Sequence, residues 1–483
     1  MALLTKSKYL LGLQCPKLIW TKFNDPDLFP EIDKQVQHRF DEGTKVGQFA
    51  KSLFPNGIDI PEDDFLENLK LTKEHLNKNK TLFEASFKVN NLYSRADILK
   101  PAGKKWDLIE VKSSTKLKEV NLHDISFQRY VYEKAGIKIR KCFLMHINNQ
   151  YIRKGKISPR KLFNIQDITK EVDEISKGIE DRIKSILKII SEEKPNTKIS
   201  KDCKKFYECG LKGNCHSFLP EHHVFHLYRG GKKSFELFEN DILELKEIPE
   251  NFKLNVNQSI QRECAKTHKA HINKEGIKEF LETLEYPIYF LDFETYQTAI
   301  PLYNGSKPYQ QIPFQYSLHI QEKKNGKLKH ISYLAKGKKD PRVSFLKSLQ
   351  RNLGEKGTVL VYNQAFEKMI FRQLGDKFPE YKDWISSIDE RIKDLLVPFR
   401  KFYYYHPNQK GSASIKKVLP CLVGKDYTEM EIADGIMASL EYLYITHGNA
   451  SDEEVKRVRK ALEEYCALDT EAEVMILEEL GKI

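Results

Sequence analysis

The chain has 483 residues, 40% of them hydrophobic and 31% charged, and a formal net charge of +12. That length exceeds one ordinary hydrophobic core and predicts two domains of a soluble globular protein. The first 20 residues mix Lys6, Lys8 and Lys17 with short apolar runs, and no segment approaches the roughly 18 apolar residues of a membrane helix, so neither a signal peptide nor a membrane span is expected and the location should be cytoplasmic.

The charge is unevenly spread. Residues 101–200 hold 22 Lys+Arg against 13 Asp+Glu, residues 301–350 hold 10 against 2, and the remainder is slightly acidic. Basic surface concentrated in two windows points to a polyanionic partner.

Taken in order, LLTKSKYLLGLQCPKLIW predicts a helix ending near Pro16, with Cys15 just before it. Residues 34–54 read as helical and contain Glu42, and Glu84 to Asp97 alternates as a hairpin turned at Asn90-Asn91. After the polar PAGKK, Trp106 to Lys112 (WDLIEVK) has the character of a central strand. Glu110 and Lys112 stand at i and i+2 in it, on one face, with Asp97 closing the previous strand. Two acids and a lysine converging at strand ends can bind Mg²⁺, activate a water and stabilise the charge of a phosphorane. In the helix that follows, HDISFQRYVYEKAG, Gln128 and Tyr132 lie four apart on one face with Arg129 beside them.

Asp97, Glu110-Val111-Lys112 and Gln128-x-x-x-Tyr132 together resemble the RecB-type branch of the PD-(D/E)XK nucleases. The resemblance implies that Asp97 and Glu110 bind metal, that Lys112 assists catalysis and that Gln128 and Tyr132 flank the site, with Glu42 as a looser match to an additional acid. Cys203, Cys209 and Cys215 form C-x5-C-x5-C, with Cys15 far upstream. This set resembles the iron–sulfur staple of RecB-type exonucleases, and four cysteines are the number a 4Fe-4S cluster takes. Structural zinc prefers tighter spacing, and a cytosolic setting disfavours disulfides. The other four cysteines, Cys142, Cys264, Cys421 and Cys466, read as small buried hydrophobes.

Residues 226–282 are polar with amphipathic helical pieces and read as a connector packing between domains. Tyr286 to Tyr296 (YPIYFLDFETY) is a buried strand interrupted by Asp292 and Glu294, which share a face and invite a divalent cation. A hairpin from Phe314 to Leu334 turns at Asn325-Gly326, with Lys323, Lys324, Lys327 and Lys329 around it as candidate nucleic-acid contacts. Thr358 to Asn363 is a second buried strand, followed by the helix AFEKMIFRQLG with Glu367, and Tyr465 and Asp469 share a face of the last helix.

D-F-E-T, Y-N-Q-A-F-E and Y-C-A-L-D, in this order, resemble the three motifs of the DnaQ-like exonucleases of the ribonuclease H fold, in the tyrosine subgroup. The resemblance implies that Asp292, Glu294, Glu367 and Asp469 hold two divalent ions, Mg²⁺ or Mn²⁺, while Tyr465 orients the attacking water. Glu367 replaces the family's usual Asp. The expected protein is thus a two-domain α/β chain: a PD-(D/E)XK restriction-endonuclease-like core over 1–225, a helical connector over 226–282 and a ribonuclease H-like fold over 283–483. The expected function is phosphodiester hydrolysis of nucleic acid, DNA rather than RNA, at two metal-dependent sites, the second acting 3′–5′. The alternatives are a nucleic-acid-binding or scaffold protein with one or both sites inactive, and an RNA-processing exonuclease.

Overall fold

The computed structural model describes residues 3–61 and 64–483. The chain folds as an α/β protein of two compact units, one of residues 1–218 and 298–310, the other of residues 219–297 and 311–483. Residues 219–225, expected in the first domain, and the connector region lie inside the second unit, and residues 298–310 of the expected second domain belong to the first.

In the first unit the strands Ile58–Asp59, Leu82–Val89, Leu92–Ala102, Lys105–Lys112, Ile139–Ile147 and Phe163–Asp167 lie side by side in that order. Lys105–Lys112 pairs antiparallel with the strand before it and parallel with Ile139–Ile147. It is buried on both faces: Leu108 joins a core with Phe127, Val131 and Ile183, while Ile109 joins another with Val46, Met145 and Ala299. Helices Glu119–Lys134 and Ile179–Ser191 thus cover one face, and helix Lys34–Lys51 the other. Segment 298–310 is fastened within this unit by Arg153, whose guanidinium donates to the carbonyls of Pro301 and Leu302, and by Asn304, which accepts from Gly155 N at 2.7 Å.

The expected single helix at the start is two, Lys6–Gln14 and Pro16–Asn24. Cys15 between them is extended (φ −163°, ψ 130°), because the residue before a proline is pushed out of the α region while Pro16 suits the first helical position.

In the second unit the strand order is Leu328–Leu334, Ile312–Gln321, Ile288–Tyr296, Thr358–Val361, Ile392–Asp394, the first three antiparallel and the last two joined in parallel. The two-residue period of Ile288–Tyr296 sorts its side chains. Tyr289, Leu291 and Phe293 enter a core with Phe345, Phe371 and Leu374. Asp292 and Glu294 face the other way, toward helix Asp452–Leu480, from which Cys466 Sγ lies 3.9 Å from Asp292 Oδ2. Ser451 and Glu454 close that helix's start as a capping box. The connector region has its own small core of Leu227, Leu237, Leu245 and Ile248, and its strand His271–Ile272 pairs with Tyr404–Tyr405. Among the described residues no helix is long and apolar enough to cross a membrane.

Candidate active sites

In the first unit, Asp97 does not close its strand as expected but lies in the middle of Leu92–Ala102, where its Oδ2 accepts from Val111 N at 2.7 Å, which ties it to the strand of Glu110 and Lys112. Glu110 is fully buried. Lys112 Nζ bonds Glu110 Oε1 at 2.6 Å and Asp124 Oδ2 at 2.8 Å, and Gln128 Nε2 bridges Glu110 Oε2 (2.7 Å) and Asp124 Oδ1 (3.0 Å). A second ammonium enters from the first helix: Lys6 Nζ lies 2.9 Å from Glu110 Oε1 and 4.0 Å from both Asp97 Oδ1 and Asp124 Oδ1.

The electrostatics follow from that crowding. Burial penalises the Glu110 carboxylate, but Lys112, Lys6 and Gln128 outweigh it and hold Glu110 ionised below the ordinary range. Burial and the Glu110 charge push Asp97 up to about 7. Burial works against Lys112 as well, yet Asp124 and Glu110 raise it well above the usual lysine value. Tyr132 is fully buried and its hydroxyl donates to Ala85 O at 3.2 Å, so it supports the helix against the sheet and makes no hydrogen bond to these acids. Glu42 Oε2 accepts from Ala299 N at 2.7 Å.

The cysteine segment meets the first helix here. Gln14 Nε2 donates to the carbonyls of Cys203 (3.0 Å) and Tyr207 (2.9 Å), fixing the loop beside Cys15. Burial raises the Cys15 thiol and the amides of Leu18 and Lys17 oppose the rise, while Cys203 and Cys215 stand near enough to add to it. For Cys209, burial raises the thiol, the Leu211 amide opposes the rise, and Cys203, Cys15 and Cys215 add to it. The four sulfurs therefore belong to one neighbourhood, all in the half-buried class. Tyr207 of the same loop is close enough to Lys112, Asp124, Lys6 and Glu110 for each to act on its phenol.

In the second unit, Asp292, Glu294 and Asp469 each offer a carboxylate oxygen within 4.8 Å of the others, the one such group of three found among the described residues. Burial, then Asp469, Glu294 and Glu367, push Asp292 well above the carboxylate range; burial and Asp469 do the same to Glu294. Asp469 rises to about 6 through burial, moderated by the hydroxyl of Tyr427, which donates to its Oδ1 at 2.8 Å. Glu367, in the first turn of helix Gln364–Lys377, is 2% exposed and pushed by burial to about 8. Tyr465 is 4% exposed, and Lys416 Nζ stands over both Tyr465 and Tyr427, 5.3 and 5.4 Å from the ring centroids. Hard oxygen donors crowded and buried in this way are the ligand type that Mg²⁺ and Mn²⁺ take. Lys323, Lys324, Lys327 and Lys329 are exposed around the hairpin turn, where Asn325 adopts the left-handed conformation at φ 58°.

Lys6, Asp124, Lys416, Tyr427 and Glu473 are site residues that sequence reasoning does not single out. Asp124 and Glu473 carry a signal, since each lies four residues from a motif residue on a helix, Gln128 and Asp469 respectively. Lys6, Lys416 and Tyr427 come from elements distant in the chain and carry none.

Residues 289–414 match the family model described as a domain of unknown function, DUF2779. The matched stretch contains Asp292, Glu294 and Glu367 and ends before Tyr465 and Asp469. No curated protein matches the chain.

Proposed function

We propose that the chain is a metal-dependent nuclease with one acid centre in each unit, hydrolysing phosphodiester bonds of nucleic acid, DNA rather than RNA. The observation that carries this reading is the convergence of Asp292, Glu294 and Asp469, three carboxyl groups at buried or half-buried positions with oxygens within 4.8 Å of one another. Such an arrangement is costly without a cation and well suited to holding one. The ribonuclease H-like assignment is supported by the strand order, with three sequential antiparallel strands on one side and two parallel strands on the other. The PD-(D/E)XK assignment is supported by Asp97 and Glu110 on paired antiparallel strands, followed by the helix of Gln128.

Asp292, Glu294, Glu367 and Asp469 would hold Mg²⁺ or Mn²⁺ in the second centre, and Asp97 and Glu110 in the first. Bound there, the ions supply Lewis acidity and a water of lowered pKa. Tyr465, kept protonated by burial and the neighbouring Asp469 and Glu294, donates a hydrogen bond and so orients a water rather than accepting its proton. Lys416 adds positive charge beside Glu294 and Asp469, where a transferring phosphoryl group gathers negative charge. In the first centre Lys112 has that role. Cys15, Cys203, Cys209 and Cys215 would hold a 4Fe-4S cluster that pins the first helix to the end of the unit. The exposed lysines of the hairpin would follow the phosphate backbone, and a 3′–5′ polarity is assigned to the second centre.

The test uses single- and double-stranded DNA and RNA labelled at either end. Lys112→Ala should remove one activity and Asp292→Ala the other, each by about 100-fold or more, the scale of losing one transition-state charge partner. Full 3′-end degradation by Asp292→Ala would overturn the reading of the second centre.

A further inference from the structure

Helix Asp452–Leu480 carries one acid beyond the set the motifs name. Glu473 lies one turn past Asp469 and two past Tyr465, and it is 1% exposed. Residues at i, i+4 and i+8 share a helix face, and Asp469 on this face brings a carboxylate oxygen within 4.8 Å of Asp292. After burial itself, the charges that act on the Glu473 carboxyl are those of Asp292, Glu367 and Asp469, opposed weakly by the Tyr362 amide. Glu473 thus stands buried on the helix face that carries Tyr465 and Asp469.

Its Oε2 has no hydrogen-bond partner among the described residues, and neither has Oε2 of Glu367. An acid packed only for shape would find a donor for each oxygen. A buried carboxylate oxygen without one forfeits its water and gains nothing in return, a cost of about 1–3 kcal/mol or more. Two such oxygens, both close enough to Asp292 to perturb it or be perturbed by it, share one remedy. A hard divalent cation satisfies both at once.

We propose that Glu473, with Glu367, is a ligand of a second divalent cation beside the ion of Asp292, Glu294 and Asp469. This rests on reading the second unit as a metal centre and adds to it a residue outside the three motifs.

The test counts Mn²⁺ ions bound to the full chain by equilibrium dialysis and electron paramagnetic resonance, and follows melting with and without Mn²⁺. Asp292→Asn should bind two ions fewer than the parent and Glu473→Gln one fewer. In EDTA, Glu473→Gln should melt at or above the parent, since the amide removes an unpartnered acid, and its gain in Tm on adding Mn²⁺ should be smaller. Parent stoichiometry in Glu473→Gln would overturn Glu473 as a ligand while leaving the centre intact. Equal counts in the parent and Asp292→Asn would overturn the metal centre itself. Should Glu473→Gln fold poorly, Glu473→Asp keeps the charge and shortens the reach, and parent affinity for both ions in that variant overturns the proposal.

Discussion

Lys6 Nζ stands 2.9 Å from Glu110 Oε1 although 104 residues separate the two in the chain. With Asp97 and Asp124 each 4.0 Å away, the ammonium neutralises the same acids that would hold an ion under the proposed function. Lys6→Met should therefore tighten Mn²⁺ binding at the first centre by about tenfold, or ~1.4 kcal/mol, and lower the Tm of the metal-free protein. Mn²⁺ titration in an Asp292→Asn background isolates this centre. Unchanged affinity would mean that the lysine does not compete with the ion.

Tyr427 and Lys416 should act on kcat at the second centre. A hydrogen bond to a charged group contributes about 1.5–3 kcal/mol, so Tyr427→Phe should slow 3′-end degradation by about tenfold or more by freeing Asp469. Lys416→Met should lower kcat with KM nearly unchanged, and Lys416→Arg should restore part of the loss. A KM effect alone in Lys416→Met would assign the lysine to ground-state binding.

Cys209→Ser should release iron and sulfide from anaerobically prepared protein and lower the Tm of the first unit, because the joint between the first helix and residues 203–215 would lose the cluster and keep only weaker ties such as the hydrogen bonds of Gln14. Stoichiometric zinc without iron in the parent would defeat the cluster assignment.

Stability without metal should fall as pH rises. Burial pushes Glu367 to about 8 and Asp469 to about 6 in the folded chain, so both bind protons more tightly folded than unfolded. Their contribution is full below the unfolded values near 4 and is lost as pH climbs through roughly 6 to 8. In EDTA the Tm at pH 8 should lie about 5 °C or more below that at pH 5, and saturating Mn²⁺ should close the gap. A Tm that rises over this interval would contradict the assignment.

Replacing Lys323, Lys324 and Lys327 by Gln should weaken nucleic-acid binding and flatten its dependence on salt. On a duplex the logarithmic slope should shrink by up to about 0.9 for each phosphate that a lysine no longer neutralises. An unaltered slope would show that these lysines are only a solvated hairpin.

What can be read from the sequence has short-range causes. The i, i+2 spacing of Asp292 and Glu294 dictates their common face, because it is decided within a few residues. The hairpin forms where the sequence expects it, but residues 322–327 make a longer loop closed by Gly326 N donating to Lys323 O, with Asn325 at φ 58°, in place of the two-residue Asn325-Gly326 turn. The helix break at Cys15 has its signal in Pro16, but that signal reads equally as an ending, since a proline that stops one helix also suits the first position of the next. Lys6 beside Glu110 and Tyr427 beside Asp469 depend on how distant elements pack, which no local pattern records. The place of Ala299 in the core of the first unit, from a loop between two strands of the second, is of the same kind.

That loop decides how the chain can be dissected. Residues 298–310 interrupt the second unit and belong to the first, so the backbone passes from one unit to the other three times, after residues 218, 297 and 310. A single cut at residue 218 leaves the N-terminal fragment without Ala299, the donor to Glu42, and without Asn304, the acceptor for Gly155. It leaves the C-terminal fragment with a thirteen-residue excursion that has lost its bed. No single proteolytic nick or pair of expressed halves reproduces either unit whole, so autonomy of the two centres is a question for point substitutions in the intact chain. Grafting the second unit elsewhere would first require replacing the excursion by a short closure from Gln297 to Gln311.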